Sequence, residues 1–171
     1  MTMRTTTGDY TSMLRAVGGA VTKMRKAAGL SQAELAEAAG VHVNTVANIE
    51  RGSGDPSVVK LSRMLVRLRC PGVVFDSSGF AFLAPLLGID SVAPDAEPSR
   101  IALEIGSRIH DKRLARGLTI KELADKAEIH SNTLWNIENG LVEASCSVAY
   151  RVLLSLGSTR VAQGEAGIEI S

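Results

Sequence analysis

Residues 30–52 read LSQAELAEAAGVHVNTVANIERG, and residues 118–140 read LTIKELADKAEIHSNTLWNIENG. The two stretches align without a gap at an offset of 88 positions. Leu30/Leu118, Glu34/Glu122, Leu35/Leu123, Asn44/Asn132, Thr45/Thr133, Asn48/Asn136, Glu50/Glu138 and Gly52/Gly140 are identical. Self-similarity at a fixed offset marks one supersecondary unit written twice. Each stretch opens with a hydroxyl residue followed three positions later by Glu, Ser31 with Glu34 and Thr119 with Glu122. That is a capping box, and it starts a short helix. Gly40 follows this helix in the first copy, and a second short helix is expected over about 43–50 and 131–138, with Gly52 and Gly140 beyond its end. Helical phase puts Val46 and Ile49, or Leu134 and Ile137, on an inner face.

The register continues outward from this core. Arg25 falls on Arg113, Gly29 on Gly117, Arg63 on Arg151 and Val73 on Val161. A first helix is expected over about 11–28 and 99–116, with hydroxyl caps at its start and Gly29 or Gly117 as its stop. Met13, Val17, Val21 and Met24 share one face of it. A fourth helix is expected to begin near Pro56, a favoured first-turn residue, and to carry Val58, Leu61, Leu65 and Leu68 inward. VVFDSSGFAF at 73–82 and VAQGEAGIEI at 161–170 each read as two short strands around a Gly-containing turn. A lone hairpin is marginal in water, so its edge calls for the other copy's hairpin or a second chain. SVAPDAEPS at 91–99 reads as a linker. The expected division is therefore 1–90, a linker at 91–98, and 99–171.

Composition narrows the function. The hydrophobic share of 45% suffices for a core, and only 4% of the residues are aromatic. Cys70 and Cys146 have neither metal-ligand spacing nor a disulfide framework, which suits a reducing cytoplasm. Arg15 interrupts MLRAVGGAV, so no secretory segment is expected. FAFLAPLLGI at 80–89 is too short to span a bilayer, and no membrane association is expected. Net charge is +1, but the copies differ. Residues 1–88 hold ten Lys/Arg against six Asp/Glu, whereas 89–171 hold nine against twelve. No P-loop, nucleophile elbow, zinc motif or dinucleotide fingerprint occurs, and His42, His110 and His130 have no catalytic spacing. An enzyme is not expected, nor a cofactor or metal.

Two short helices joined by a tight turn make a helix-turn-helix, whose second helix enters the major groove of double-stranded DNA. Its outer face must meet base edges. Val43, Asn44, Ala47 and Asn48 lie there in the first copy, and Ser131, Asn132, Trp135 and Asn136 in the second. Asn pairs bidentately with adenine, and Val and Ala methyls meet thymine methyls. Neither face carries Arg, so weak guanine readout is expected. His42 and His130, at the mouth of this helix, suit a cap or a phosphate contact better than a metal. Thr45 and Thr133 are further phosphate candidates. Cys146 matches Val58 and reads as a packing residue.

The pattern L-[ST]-x-x-E-L-A-x-x-A-x-[VI]-x-x-N-T-[VL]-x-N-I-E-x-G resembles the Cro/CI-type (XRE-like) helix-turn-helix family of phage repressors and bacterial regulators, over about 17–68 and 105–156. The resemblance implies a mainly α fold: two tandem lambda-repressor-like helix-turn-helix domains, each here followed by a short β-hairpin. It implies base contacts from the outer-face positions and phosphate contacts from Gln32 and Arg51. The second copy departs at both, with Ile120, which offers no hydrogen bond, and Asn139, which the family tolerates. It also implies that Glu50 and Glu138 pair structurally with Arg25 and Arg113.

The leading expectation is a sequence-specific DNA-binding repressor of phage, plasmid or mobile-element type, whose fused copies read an imperfectly symmetric site. The alternative is a protein-binding antagonist, an antitoxin or anti-activator, whose second domain holds a protein partner. A homodimer through the hairpins is a further expectation.

Overall fold

The computed structural model describes residues 7–70, 72–76, 79–82, 98–158, 160–164 and 167–171. The first copy runs α1 (Thr7–Ala27), α2 (Gln32–Ala39), α3 (Val43–Glu50), α4 (Val58–Arg67), β1 (Gly72–Asp76) and β2 (Gly79–Phe82). The second runs α5 (Pro98–Ala115), α6 (Ile120–Lys126), α7 (Ser131–Glu138), α8 (Cys146–Ser155), β3 (Arg160–Gly164) and β4 (Gly167–Ile170). The fold is mainly helical.

Local chemistry explains α2, α3 and their counterparts. Both capping boxes close reciprocally, Ser31 with Glu34 and Thr119 with Glu122. Gly40 ends α2 in the left-handed conformation, and Gly29 and Gly117 turn the chain after the first helices in the same way. Two helix starts differ from the sequence expectation. α1 is already helical at Thr7, a turn before Thr11, because Thr11 continues the helix instead of capping it. α4 begins at Val58 with Ser57 as its cap, so Pro56 lies outside the first turn, where its carbonyl is used by the other copy. Of the expected linker, 91–97 lie outside the described residues, and Pro98 is the first residue of α5. The hairpin turns at 77–78 and 165–166 also lie outside them. Gly79 and Gly167 are the first residues of β2 and β4, paired with Asp76 and Gly164.

The buried hydrophobics of both copies form one cluster, with a dense centre in each copy. Val17, Val21, Leu35, Val46, Val59 and Met64 fill the first; Ile109, Leu123, Leu134, Val152 and Leu156 fill the second. Full burial of such a side chain contributes about 1.5–3 kcal/mol. The helix-turn-helix is locked to the first helix by a close approach. A Cβ on Gly18 would stand 2.2 Å from the carbonyl oxygen of Ile49, and one on Gly106 would stand 2.1 Å from that of Ile137. Only glycine lets α1 meet α3, and α5 meet α7, this closely.

The copies meet around a local two-fold axis. Ser57 and Ser145, equivalent residues, form an antiparallel bridge. The Val58 amide donates to the Ala144 carbonyl and the Cys146 amide to the Pro56 carbonyl, each at 2.8 Å. β1 pairs with β3 antiparallel, Val73 opposite its own equivalent Val161. The four strands form one sheet in the order β2-β1-β3-β4. One asymmetric contact is added: Asp55 accepts from the Ser147 backbone amide (3.0 Å) and from the Ser147 hydroxyl, placing a carboxylate at the start of α8.

Candidate nucleic-acid interface

The core holds α3 and α7 by one side and leaves the other outward. Val46, Ile49, Leu134 and Ile137 are buried. On the opposite face Val43, Asn44 and Asn48 are exposed, and Ala47 and Thr45 are half-buried. In the second copy Asn132, Thr133 and Trp135 are exposed, and Ser131 and Asn136 are half-buried. Trp135 is 48% exposed, far too open for a core residue.

His42 and His130 cap these helices. Nδ1 of His42 accepts from the Asn44 amide (3.2 Å), and Nδ1 of His130 accepts from the Asn132 amide (3.3 Å). In a neutral ring that acceptor role puts the proton on Nε2. Each exposed ring thus keeps one donor for an oxyanion at a helix N-terminus.

Arg51 is exposed and lies back along α3, its Nη2 donating to Asn48 Oδ1 (2.6 Å) and its Nε to the Ala47 carbonyl (3.2 Å). This occupies the oxygen that Asn48 would offer to an adenine amino group. Asn139 instead donates Nδ2 to the Trp135 carbonyl (2.8 Å). Gln32 is half-buried, and its Nε2 donates to Glu50 Oε2 (2.8 Å), leaving one N–H and the carbonyl for another partner.

Under this surface lie two ion pairs. Arg25 grips Glu50 bidentately (2.5 and 2.9 Å), as Arg113 does Glu138 (2.7 and 2.8 Å). The remaining guanidinium donors reach the Leu30 and Leu118 carbonyls, tying the helix one–helix two turn to the recognition helix. Burial is the largest single effect and raises both carboxyls, but the arginine hydrogen bond, the hydrogen bond from Gln32 or His110 and the arginine charge together outweigh it, and Glu50 and Glu138 lie below the ordinary glutamate value. The third ligand differs. Glu50 takes Gln32, whereas Glu138 takes His110 Nδ1 at 2.9 Å. His110 occupies the position of Thr22, and Ile120 that of Gln32. The paired change keeps a third hydrogen bond to a buried carboxylate. Sequence reasoning missed His110; its signal was two coupled differences between the copies.

A second feature also escaped the sequence. Among the described residues the large exposed hydrophobics are Val43, Leu103, Leu114, Trp135, Leu141 and Val142. Leu103 stands where the first copy has Arg15, Leu141 where it has Ser53, and Val142 where it has Gly54. The α5 cations Arg108 and Lys112 point away from Leu103 by helical phase. Both cysteines are buried and outside any disulfide, and burial, then the Asp55 charge, pushes the Cys146 thiol up to about 12.

A helix-turn-helix family model (HTH_3) matches residues 21–75 and again 109–161, one match per copy. No curated protein and no solved structure matches the chain. Among the described residues no helix is long and apolar enough to cross a membrane.

Proposed function

Since the chain belongs to the helix-turn-helix family of DNA-binding transcription regulators, we propose that it is a sequence-specific repressor of phage, plasmid or mobile-element type. Its two fused, unequal copies read an imperfectly symmetric site. The observation that carries this reading is the seam. Equivalent residues pair around a local two-fold axis within one chain, Ser57 with Ser145 and Val73 with Val161. Two separate chains use such symmetry to read palindromes; a fused pair with unlike outer faces is free of that constraint.

In this reading Asn44 and Asn48 take adenine edges, and Val43 and Ala47 meet thymine methyls. His42, Thr45, Arg51 and the free groups of Gln32 engage phosphates. Ser131, Asn132, Trp135 and Asn136 read the other half-site more weakly, with His130, Thr133 and Asn139 on its backbone. Selection from random-sequence duplexes tests it. The full chain should recover a site with two unlike halves, and Asn44→Ala and Asn132→Ala should each relax a different half. Recovery of a perfect palindrome would sink the proposal.

A second reading rests on the apolar outer face of the second copy. There a protein, instead of DNA, occupies α7, and the first copy alone reads bases.

A further inference from the structure

We propose that His110 is a phosphate contact of the second copy, made by its protonated ring, so that the grip of this copy on DNA tightens as pH falls. This deepens the reading in which both copies lie on DNA, and rests on it.

The buried carboxylates fix the place. The two arginines divide them alike, Nε on Oε1 and Nη2 on Oε2. In the first copy the Gln32 amide sits at Oε2 of Glu50 (2.8 Å), and in the second the His110 ring sits at Oε2 of Glu138 (2.9 Å). The imidazole thus stands where the amide of a proposed phosphate contact stands. The Glu138 side chain is 2% exposed and that of His110 44%. One edge of the ring covers the carboxylate, and the other is open to solvent. His110 also lies about two helical turns beyond Leu103 at nearly the same phase. Leu103 abuts the end of α7, since a Cβ on Gly140 would stand 2.7 Å from its Cα. The open edge is therefore on the face of α5 that borders the recognition helix.

The hydrogen bonds fix the proton. Glu138 lies below the ordinary glutamate value, so at neutral pH it is ionised and only accepts. Nδ1 of His110 must donate to it. Arg113 Nη2 lies farther from Nδ1, at 3.2 Å, and there two donors face each other. A neutral ring with its hydrogen on Nδ1 has a lone pair at Nε2, which repels a phosphate oxygen. A charged ring has an N–H there. His42 and His130 are the converse. Their Nδ1 accepts from a backbone amide, so the neutral ring already carries a hydrogen on Nε2, and protonation breaks the cap. Of the three histidines, His110 alone gains its phosphate donor with a proton.

Charge points the same way. Leu103, Ile120 and Asn139 stand where the first copy has Arg15, Gln32 and Arg51, and none of them can become positive. Phosphate neutralisation supplies most sequence-independent affinity, and histidine is the side chain whose charge ordinarily changes between about pH 5 and 8. α7 presents Glu138, which favours a charged ring, and the ring's own helix presents Arg113, which opposes it. In the first turn of α6, Lys121 is held by Asp125 and Glu122 by Thr119. A phosphate adds a second anion beside the ring and draws a proton from the buffer.

The test is binding of the full chain to random-sequence duplexes about 30 base pairs long, over a range of salt. Affinity should be at least about threefold higher at about pH 6 than at about pH 8, and the slope of log affinity against log salt steeper by about one. His110→Thr/Ile120→Gln gives the second copy the two side chains of the first and returns an amide to Glu138. It should lose the pH response, as should the milder His110→Gln. Unchanged melting temperatures verify the folds. In His42→Asn/His130→Asn, where Asn can cap both helices, the response should persist. A response that survives in both His110 variants, or vanishes with His42 and His130, overturns the proposal. A parent chain indifferent to pH does so too, and Trp135, the only Trp, then separates two failures. If its emission changes on adding the duplexes, the role of His110 falls alone. If it does not, the two-copy reading falls with it.

Discussion

Asn48 and Arg51 show how one side chain sets the availability of another. In the free protein the Arg51 guanidinium covers Asn48 Oδ1, so base pairing by Asn48 requires Arg51 to swing away, and a phosphate gives it a place to go. Asn44→Ala or Asn48→Ala should then cost roughly 1–3 kcal/mol on the cognate site and relax a single base position, whereas Arg51→Ala should weaken all sequences alike. Binding to a panel of single-base variants checks this, and uniform losses for the Asn variants would refute it. The buried glutamates make a separate prediction. Both carboxyls are raised by burial but held low overall, chiefly by Arg25 and Arg113. A depressed carboxyl contributes stability that is complete above its unfolded value, about 4.3, and lost as pH falls through the folded value. Melting temperature should therefore fall steeply below about pH 4, and less steeply in Glu138→Gln. Glu138→Ala should cost roughly 3–5 kcal/mol at neutral pH, since it leaves Arg113 buried without its partner. The Arg–Glu pairs follow from the family pattern in the sequence. The third ligand does not, because His110 is 28 residues from Glu138, and nothing in either segment alone links them.

At the scale of the elements, the copies differ in where they accept backbone strain. Gly40 takes the left-handed conformation after α2, but the equivalent Glu128 must adopt it at φ 55°. After the fourth helix the roles reverse, Arg69 holding φ 54° where the second copy has Gly157. A left-handed residue with a side chain costs about 1–2 kcal/mol, against the roughly 0.5–1 kcal/mol that glycine loses through unfolded-chain freedom. Strain outweighs entropy. Glu128→Gly and Arg69→Gly should each stabilise the protein by about 0.5–1 kcal/mol, a rise of a degree or more in melting temperature. A fall in thermal or urea midpoint would contradict this. The same comparison shows what makes an element legible. The limits of α3 and α7 could be read to the residue because caps and closing glycines act within a few positions. The start of α1 could not, since Thr11 looks like a cap while the chain before it is already helical. Pro56 misled for a different reason. It resembles a first-turn proline, yet its carbonyl serves the Cys146 amide across the seam, a contact that no window around residue 56 contains.

Across the whole molecule, the described residues join the copies through the Ser57/Ser145 seam with Asp55 on Ser147, the pairing of β1 with β3, and the packing of α4 against α5. The need for hairpin partners was visible in sequence; the partner chosen was not, because an edge strand fits a second chain as well as its own repeat. Removing 160–171 takes from β1 its β3 partner and from α5 the strand β4, leaving β1 paired with β2 alone, and should lower the melting temperature. An unchanged melting temperature would show that the seam suffices. Electrostatics then distinguishes what each copy does on DNA. Each phosphate neutralised contributes close to one unit to the slope of log affinity against log salt. Arg15 and Arg51 are exposed in the first copy, while their equivalents are Leu103 and Asn139. Arg51→Ala should lower the slope by about one, and Arg15→Ala should do the same if α1 also reaches the backbone. The informative variant is the reverse change, Asn139→Arg, which gives the second copy the cation of the first. If α7 lies on DNA, the slope should rise by about one and affinity should increase at low salt. If α7 is held by another chain, neither should move. A rise would favour the fused reader of two half-sites and count against an α7 committed to protein. A flat response, with Arg51→Ala still effective, would leave the first copy as the sole reader.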